Sequence, residues 1–400
     1  MKVGFGVTAL CNGLAGGGLD GIGNYTRELI LRMGSGNATH DLVELVPFAF
    51  GAEIPADLNA RVAAVVQSTP SNFKAPEIAQ GVQLGRYSIN TAWSVATGTN
   101  FLRIHALTKQ VDLIHATDHY VPKCKPVPMV ATLMDAIPLS HPQWLRSEFR
   151  SIKNMLWTRA AYWADEVITI SEYSKVELSK WAGISLSKIT VIPLGVDERW
   201  FQDVAEIDIS RVRSEYQLPE TFFISVGTLQ PRKNVESTIW AHRALSMAER
   251  LRTPLIIIGR AGWKCEEVLR LINEDRASGA VRWLQHVPDS DLLPVLKQAT
   301  AMVFPSLGEG FGLPVLEAFA ARVPVITSNT TSLPEVTGEA ALSINPLDID
   351  QLAEAMKRIL EDTGLSNKLK DLGSVRAREF NWQSCADATL SIYQRLVVTK

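Results

Sequence analysis

Two carboxylates, Glu309 and Glu317, flank a glycine-rich turn in the C-terminal half of the chain and lie eight residues apart. The turn follows a strand-like apolar run, and Pro314 marks the beginning of a helix, where proline is favoured. The glycines that would let a ligand approach the backbone are Gly308, Gly310 and Gly312. We expect Glu317, in the first turn of this helix, to accept hydrogen bonds from a ribose diol and Glu309 to reach a hexose.

The beginning of the same helix is a predicted anion site. The first backbone N–H groups of a helix have no partner within it, and the helix dipole is positive at this end. The amides that we expect to face an anion such as a diphosphate belong to Phe311, Gly312 and Leu313. Taken alone, these residues also fit a tight strand-to-helix connection in which Glu317 only complements the dipole.

Two adjacent cations, Arg232 and Lys233, follow the strand-like run Phe222–Val226. We expect Asn234 to close this loop by capping the next helix. Two surface cations are ordinarily solvated side chains. Their place after a strand is therefore compatible with anion binding but does not by itself indicate it.

A glycine cluster follows the first predicted strand. Gly16, Gly18 and Gly21 satisfy the GxGxxG pattern, but they lie too far beyond the strand for a compact dinucleotide-binding turn. A flexible connection explains Gly16 to Gly18 equally well. The pattern is therefore weak support for an NAD-dependent oxidoreductase, which we keep as an alternative.

Polar side chains follow two further predicted strands. His115 and His119 come at the end of Asp112–Ala116, and Asp135 follows Pro128–Leu133. Open α/β sheets bind ligands at the carboxyl ends of their strands. We therefore expect these side chains to be candidates for polar contact with a ligand.

Taken together, these motifs resemble glycosyltransferase family 4. The spacing of Glu309 and Glu317 matches the Glu–x7–Glu signature of that family. Further similar segments lie at 227–234, 257–259, 287–289 and 332–336. The resemblance is specific over the C-terminal domain and looser over the N-terminal one. It implies a GT-B fold in which Arg232 and Lys233 bind the diphosphate of a nucleotide-sugar donor.

The resemblance also assigns roles at other positions. Gly21 and Gly23 look like the N-terminal glycine loop of the family, which faces the donor phosphates. Many relatives have a His-Asp pair where this chain has Met134 and Asp135, which puts a catalytic histidine at that site in doubt. Asp135 is retained, so we rank it first for polar contact with the sugar or the acceptor and His119 second, with His115 and His141 as weaker candidates. The expected catalytic set is Arg232, Lys233, Glu309, Asp135 and His119. The expected donor-binding set is Gly21, Gly23, Gly227, Phe311, Gly312, Leu313, Glu317, Arg260 and Val287, of which Arg260 and Val287 are assigned to the base pocket by position only.

The elements that must position these residues alternate between short Val- and Ile-rich runs and longer amphipathic stretches, which is typical of βα units with a parallel sheet. Strands are predicted in the first half at Lys2–Val7, Leu42–Phe50, Asp112–Ala116, Pro128–Leu133, Glu166–Ile170 and Lys188–Ile192. A second series is predicted at Phe222–Val226, Pro254–Ile258, Val281–Leu284, Ala301–Phe304 and Val323–Thr327.

The polar stretch between the two series lacks strand character and is the predicted linker. The prediction is an N-terminal acceptor-binding domain at 1–195, a linker at 196–214 and a C-terminal nucleotide-sugar-binding domain at 215–380. Both domains are expected to be Rossmann-like, doubly wound parallel sheets facing a cleft. Residues 381–400 repeat apolar positions at helical spacing and are expected to pack back on the N-terminal domain.

Composition narrows the possible functions. A chain of 400 residues is too long for one hydrophobic core, and a net charge of −2 disfavours a nucleic-acid partner. The four cysteines are scattered singly, so we expect reduced, buried thiols. No apolar run approaches the ~20 residues of a membrane span. We expect a cytoplasmic protein that contacts the membrane peripherally, if at all.

One cationic stretch bears on membrane contact. Arg146, Arg150, Lys153 and Arg159 are interleaved with aromatic and apolar residues. Such a helix would lie on an anionic membrane and present the site to a lipid-linked acceptor. An ordinary amphipathic helix that covers the sheet explains the same pattern slightly better.

Other chemistries find little support. The triplets Asp289–Asp291 and Asp348–Asp350 could bind a divalent metal, but each precedes an amphipathic helix, so N-capping is the better explanation and we expect no metal. Ser174 to Glu177 has the spacing of a capping box. The chain contains neither the Gly-x-Ser-x-Gly elbow of hydrolases nor a P-loop.

The resemblance therefore implies a retaining hexosyltransferase (EC 2.4.1 type) that needs no cofactor beyond its donor. Mannose from GDP-mannose, added to a saccharide or lipid-linked acceptor during polysaccharide or lipopolysaccharide assembly, is our first expectation, and a UDP-hexose is the second. A sugar-nucleotide epimerase of the same architecture remains the nearest alternative. A noncatalytic sugar-nucleotide-binding protein is more remote.

Overall fold

The computed structural model describes residues 1–16, 18–34, 43–64, 78–145 and 149–398. The chain divides into two compact units. The first unit consists of Met1–Pro142, Ser147–Gly195 and Asn381–Lys400, and the second consists of Gln143–Arg146 and Val196–Phe380.

Within the described residues, the first unit contains a seven-stranded parallel sheet. Its strands are β1 (Lys2–Gly6), β2 (Glu44–Phe50), β3 (Val82–Leu84), β4 (Leu113–Ala116), β5 (Met129–Thr132), β6 (Glu166–Thr169) and β7 (Ile189–Val191). The strand order is β3-β2-β1-β4-β5-β6-β7, so the winding direction reverses between β1 and β4. The helices that precede or connect these strands are α1 (Thr8–Gly16), α2 (Gly21–Gly34), α3 (Leu58–Ala64), α4 (Tyr87–Thr97), α5 (His105–Thr108), α6 (Ile137–Ser140), α7 (Arg150–Ala161) and α8 (Glu172–Ala182).

The second unit contains a six-stranded parallel sheet in the part of the chain that the structure describes. Its strands are β8 (Phe223–Val226), β9 (Leu255–Ile258), β10 (Val281–Leu284), β11 (Ala301–Phe304), β12 (Val325–Ser328) and β13 (Leu342–Ile344). Their order is β10-β9-β8-β11-β12-β13, with the reversal between β8 and β11. The helices are α9 (Glu206–Glu215), α10 (Val235–Arg243), α11 (Met247–Arg252), α12 (Glu266–Arg276), α13 (Asp289–Leu296), α14 (Leu313–Ala320), α15 (Leu333–Thr337), α16 (Ile349–Glu361) and α17 (Thr363–Arg378).

The chain ends in helix α18 (Trp382–Val398), which belongs to the first unit and packs on α2. Short 3-10 helices occur at Pro142–Trp144, Leu186–Lys188, Glu198–Phe201 and Pro231–Lys233. None of the described helices combines the length and the apolar content that a membrane crossing requires.

Strand formation follows from short apolar runs that are buried on both faces. All residues of β4, β5, β9, β11 and β12 are buried, as expected for strands covered by helices on both sides of a parallel sheet. The buried core of the second unit includes Phe223, Leu255 and Val303, and helix α16 covers it with Leu352 and Met356. The predicted doubly wound α/β architecture is confirmed for each unit.

All eleven predicted strands are present among the described residues, with ends that differ by at most two residues. Two strands were not predicted, β3 and β13. Each has only three residues, lies at a sheet edge and contains exposed or half-buried positions, so neither produces an apolar run. The segment 196–214, predicted as a linker, is grouped with the second unit and contains most of α9.

Cysteine chemistry agrees with the prediction, because Cys11, Cys124, Cys265 and Cys385 are free and buried. The predicted capping box at Ser174 is wrong. Ser171 is the N-cap of α8, and its side chain accepts a hydrogen bond from Ser174 N at 3.0 Å. Ser171 directly precedes the helix and has the extended backbone that an N-cap requires, whereas Ser174 already lies in its first turn.

Candidate active site

A buried carboxylate binds two cations at the strand-order reversal of the second sheet. Glu309 follows β11, and its Oε1 accepts a hydrogen bond from Lys233 Nζ at 2.7 Å. Its Oε2 lies 2.7 Å from Arg232 Nη1, and Ser306 Oγ donates to Oε1 at 2.7 Å. Ligands of open α/β sheets bind where the strand order reverses. The structure thus brings Arg232, Lys233 and Glu309 together at the expected position.

Hydrogen bonds tie the loop after β8 to the loop after β11. The carbonyl oxygen of Arg232 accepts a hydrogen bond from Leu307 N at 2.7 Å. It also lies 2.8 Å from Ser306 Oγ, whose single proton is shared between this carbonyl and Glu309. The Asn234 side chain donates to the Pro305 carbonyl at 3.0 Å. Because each loop holds the other, the positions of the cations and the carboxylate relative to one another are defined.

The role of Asn234 differs from the prediction. It stands directly before α10, but its side chain makes no capping bond to a backbone N–H. Its Nδ2 donates to the carbonyls of Pro305 and Pro346, and its Oδ1 accepts from Ser237 Oγ at 2.8 Å. An amide that satisfies two buried carbonyls is not free to turn towards the helix N-terminus, so Asn234 connects loops instead of capping.

The electrostatics of the cluster leave one positive charge in excess. Burial raises the pKa of Glu309, but Arg232 and Lys233 more than offset this effect and lower it to about 2. Burial lowers the pKa of Lys233 to about 8, because it outweighs the attraction of Glu309. At neutral pH two cations therefore face one carboxylate, and an anionic ligand would be attracted.

Glu317 lies near the same cluster but not where it was predicted within its helix. Because α14 begins at Leu313, Glu317 belongs to the second turn and not to the first. Burial raises the pKa of Glu317 to about 7; Arg199 and Lys233 lower it, and the nearby carboxylate of Asp289 raises it. In its ionised form this carboxylate can accept hydrogen bonds from hydroxyl groups of a ligand.

The glycine-rich turn has the predicted form. Gly312 precedes α14 with a φ of 128°, a conformation that favours glycine, and Pro314 lies in the first turn. The single proton of Ser332 Oγ is shared between the carbonyls of Glu309 and Phe311, at 3.0 and 2.8 Å, and this contact holds the turn in place. Among the described residues, no group accepts a hydrogen bond from the amides of Phe311, Gly312 and Leu313. These donors are therefore available at the helix N-terminus.

Gly227, from the predicted donor-binding set, forms a close backbone contact with Gly259. Gly227 and Gly259, at the ends of β8 and β9, both have a φ of 144°. A Cβ at Gly259 would lie only 2.1 Å from the Gly227 carbonyl oxygen, so no larger residue fits there. Of the positions assigned to the base pocket, Arg260 is exposed and Val287 is buried. These placements leave their assignment to the base pocket as a prediction.

The prediction that Gly21 and Gly23 form a loop is wrong. Both lie in the first turn of α2, where Asp20 Oδ1 accepts a hydrogen bond from Gly23 N at 2.8 Å. Gly16 is the last residue of α1, so a whole helix lies between β1 and the rest of the GxGxxG pattern, which therefore does not form a strand-turn-helix dinucleotide site. Gly17 lies outside the described residues.

The two histidines after β4 have different environments. His115 does not face a ligand site, because it is fully buried and its ring nitrogens contact Tyr393 Oη at 2.5 Å and Thr132 Oγ1 at 2.8 Å. Burial lowers its pKa to about 3, so it is a neutral core histidine. His119 is exposed, and its ring lies 4.3 Å from that of Tyr120. Only His119 remains accessible to a ligand.

Asp135 lies three residues beyond the end of β5 and is half-buried. Its Oδ1 accepts a hydrogen bond from Ile137 N at 2.9 Å, at the beginning of α6. This contact fixes the carboxylate at the carboxyl-end edge of the first sheet. The position agrees with the predicted placement after the strand, and its contact with a substrate remains a prediction.

One candidate was missed. Asp118 follows β4 beside the strand-order reversal of the first sheet and is buried. Its carboxylate accepts a hydrogen bond from Tyr120 N at 2.8 Å, and burial raises its pKa to about 7. The available signal was its position directly after a predicted strand, which we used for the neighbouring histidines but not for this aspartate.

The first aspartate triplet does not cap its helix by side-chain bonds. Pro288 occupies the N-cap position of α13, Asp289 binds Arg199 at 3.0 Å, and Asp291 binds Arg211 at 2.8 Å. These ion pairs occupy the carboxylates because arginines of neighbouring elements reach them. In the second triplet Asp348 caps α16 through Gln351 N, as predicted.

Comparison with known proteins agrees with this geometry. Residues 20–200 match the family Glycosyltransferase Family 4, and residues 206–375 match Glycosyl transferases group 1. The O-antigen chain mannosyltransferase B of Escherichia coli is 28% identical over 396 residues, which cover 94% of this chain and 97% of that protein.

Solved structures show the same fold. Sucrose-phosphate synthase from Thermosynechococcus elongatus aligns with a TM-score of 0.71 and 21% identity over 100% of both chains. Anabaena Alr3699/HepE in complex with UDP and glucose aligns with a TM-score of 0.70 and 16% identity, covering 98% of this chain and 99% of that one. With a Family 4 match followed by a group 1 match, and the cation–carboxylate cluster where a donor site is expected, the chain belongs to the GT-B glycosyltransferases of family 4.

Proposed function

We propose that this glycosyltransferase is a retaining mannosyltransferase that transfers mannose from GDP-mannose to a saccharide or lipid-linked saccharide during lipopolysaccharide or other polysaccharide assembly. The observation that carries the proposal is the cluster of Arg232, Lys233 and Glu309 beside the open amides of α14. The similarity to an O-antigen chain mannosyltransferase over nearly its whole length supports mannose as the sugar.

The cluster suits a reaction in which a nucleoside diphosphate departs. Negative charge grows on the leaving phosphate, and cations that are already positioned stabilise that charge more in the transition state than in the ground state. A unit charge pair at contact is worth about 4 kcal/mol at an effective dielectric constant of 20. Arg232 and Lys233 would bind the diphosphate, the amides of α14 would add hydrogen bonds, and Glu317 would accept from the ribose.

Retention follows from membership of the family and not from a nucleophilic side chain. In the usual scheme for this family the departing phosphate assists attack by the acceptor hydroxyl on the same face of the sugar. Asp135 is our first candidate for polar contact with the reacting sugar or the acceptor, and His119 is the second. If Asp135→Asn left transfer and both KM values unchanged, this ranking would be wrong.

We also propose that no metal or redox cofactor takes part. The carboxylates of Asp289 and Asp291 are engaged by arginines. The charge of the leaving diphosphate would be balanced by protein cations instead. Transfer measured with and without a chelator tests this proposal, and a loss of activity that added Mg²⁺ or Mn²⁺ restores would contradict it.

Peripheral contact with the inner face of the membrane is part of the proposal. Phe149, the N-cap residue of α7, and Ile152 and Met155 within the helix are 74%, 54% and 53% exposed. The cations Lys153 and Arg159 of the same helix are also exposed. Exposed apolar side chains next to cations are typical of helices that bind anionic lipid surfaces. Arg146, the first cation of the predicted stretch, lies outside the described residues.

Co-sedimentation with vesicles of neutral and anionic lipid tests membrane contact. We expect binding to anionic vesicles that falls when Lys153 and Arg159 are both changed to Gln. The matched control changes two exposed lysines of the second unit, Lys357 and Lys368, to Gln. Equal binding of both double variants would show that α7 does not contact the membrane.

The donor is tested by thermal-shift screening followed by product analysis. A ligand that binds only the native state raises its apparent stability, so GDP-mannose and GDP should raise the melting temperature more than UDP-sugars and UDP. Mass spectrometry should then detect an acceptor that is heavier by one hexose. A product with the mass of the donor would indicate an epimerase, and a larger shift with UDP-hexoses would replace mannose.

A further inference from the structure

The segment Gln143–Trp144, which is distant in sequence from the second sheet, is hydrogen-bonded to the loop after β9 of the second unit. Trp144 ends the 3-10 helix Pro142–Trp144, and its carbonyl oxygen accepts a hydrogen bond from Trp263 Nε1 at 2.6 Å. The carbonyl of Gln143 accepts from Lys264 Nζ at 2.6 Å. Trp263 and Lys264, whose side chains donate these two hydrogen bonds, lie in the loop after β9. These two bonds fix the main chain of the segment and thereby the position of the Trp144 ring.

The ring of Trp144 covers Gly308. A Cβ at Gly308 would lie 2.5 Å from Cζ3 and 3.2 Å from Cη2 of the indole, so the ring occupies the space that any side chain there would need. The carbonyl of Gly308 accepts from Arg232 Nη1 at 2.9 Å, and the next residue is Glu309. The indole is therefore in contact with the residue that connects both halves of the cation–carboxylate cluster.

We propose that Trp144 is a specificity-determining residue whose indole forms a wall for the transferred sugar of the donor. The inference rests on the proposed function, because it places the hexose beside Glu309. Trp144 is half-buried, so part of the ring is covered by protein and part is open. Ligand sites combine aromatic walls with a few placed polar groups, and here Glu309 and Arg232 supply the polar groups.

The wall should act on the sugar and not on the nucleotide. The diphosphate is bound by the cations and the helix amides, which Trp144 does not replace. Loss of the indole should therefore weaken binding of the nucleotide sugar and leave binding of the nucleoside diphosphate nearly unchanged. A residue that only stabilises the loop would affect both ligands alike.

The first experiment compares Trp144→Ala and Trp144→Phe with the wild type by calorimetry, using the nucleotide sugar that the wild type turns over and the matching nucleoside diphosphate. For Trp144→Ala we expect the Kd of the nucleotide sugar to rise about tenfold and that of the diphosphate to change less than about twofold. Trp144→Phe should recover most of the difference. Trp240→Ala, which removes a partly exposed indole from α10, is the matched control and should change neither.

A double-mutant cycle tests the contact itself. Gly308→Ala alone should raise the donor KM, because its methyl group displaces the indole. In the Trp144→Ala background the same change should have an effect smaller than about twofold, because the ring is absent. Circular dichroism and melting curves of each variant confirm folding, and Trp144→Phe provides a second measurement if the alanine variant does not fold.

Three results would overturn the inference. They are an unchanged nucleotide-sugar Kd in Trp144→Ala, an equal loss of sugar nucleotide and diphosphate binding, and additive effects in the cycle. Failure of the proposed function is distinguishable, because it would appear in the wild type as an absence of transfer from any nucleotide sugar. If the wild type is active and one of the three results above is observed, the role of Trp144 is wrong and the proposed function stands.

Discussion

Lys233 Nζ donates a hydrogen bond to Glu309 Oε1 at 2.7 Å, so the cation assigned to the donor phosphates already binds a carboxylate. Arg232 binds the other oxygen of the same carboxylate at 2.7 Å. A diphosphate that enters this site must share both cations with Glu309 or displace it from them. Replacing Glu309 should therefore affect diphosphate binding and turnover differently from replacing Arg232 or Lys233.

Replacing the lysine should reduce catalysis more than stability. For Lys233→Ala we expect kcat to fall by about 10² to 10³, the range found when one preorganised donor to a developing charge is removed. The free energy of unfolding should fall by no more than about 2 kcal/mol, because Arg232 and Ser306 still bind Glu309. Single-turnover kinetics and urea unfolding measure the two quantities.

The control for this variant is Lys357→Ala, which removes an exposed lysine of α16. This control variant should leave both kcat and the free energy of unfolding unchanged. Near-normal turnover in Lys233→Ala would remove the lysine from the catalytic site.

Neutralising the carboxylate should tighten product binding. In Glu309→Gln the two cations no longer face a negative charge, so we expect the Kd of the nucleoside diphosphate to fall by about tenfold at low ionic strength, equivalent to about 1.4 kcal/mol. Turnover should fall, because a contact to the hexose is lost and the product leaves more slowly. Calorimetry at two salt concentrations measures the effect, which should shrink as salt screens it. Weaker diphosphate binding in this variant would contradict the shared-cation model.

The pKa of Lys233 predicts an alkaline limit of activity. Because burial lowers this pKa to about 8, the lysine of the free enzyme loses its charge as the pH rises through 8. The kcat/KM for the donor, which reports the free enzyme, should decline over the same range. Lys233→Arg keeps its charge at every accessible pH, so its profile should remain flat to about pH 10 even if its absolute rate is lower. The same alkaline decline in both proteins would assign the limit to another group.

The sequence was sufficient for the sheets but only partly for the site. The strands Val281–Leu284 and Ala301–Phe304, for example, have the same ends in the prediction and in the structure. β3 was missed because a three-residue edge strand carries too little burial to produce a pattern. Gly21 was assigned to a loop because its segment resembles the N-terminal glycine loop of the family. In the structure Gly21 is the first residue of α2, and Asp20 Oδ1 accepts a hydrogen bond from Gly23 N two residues later.

In the site, the sequence predicted the positions of residues along the chain but not the contacts between their side chains. Motif spacing placed Arg232, Lys233 and Glu309 at one edge of a sheet, because the carboxyl ends of neighbouring parallel strands meet there. It could not show that they bind one another, since that depends on side-chain directions and burial. Nor could it bring Trp144 to Gly308, because 164 residues separate them and no short-range pattern encodes the contact.

Glu317 gives a prediction in which stability and binding change in opposite directions. Burial raises its pKa from 4.5 to about 7, so the folded protein binds this proton more tightly than the unfolded chain does. Stability contributed by this group is therefore present below about pH 4.5 and is lost as the pH rises towards 7. Glu317→Gln should consequently melt higher than the wild type at pH 8 and at nearly the same temperature at pH 4.5.

The same variant should bind the donor less well, because an amide is a poorer acceptor than a carboxylate for the two hydroxyls of a ribose. We expect the Kd of the nucleotide to rise by about tenfold at pH 8, where the wild-type carboxyl is ionised. Melting curves with and without nucleotide at both pH values measure the two effects in one experiment. For a nucleotide whose ribose lacks one hydroxyl, the Kd values of the wild type and Glu317→Gln should differ less. If the ratio of the two Kd values were the same for the complete and the deoxy nucleotide, Glu317 would not contact the ribose.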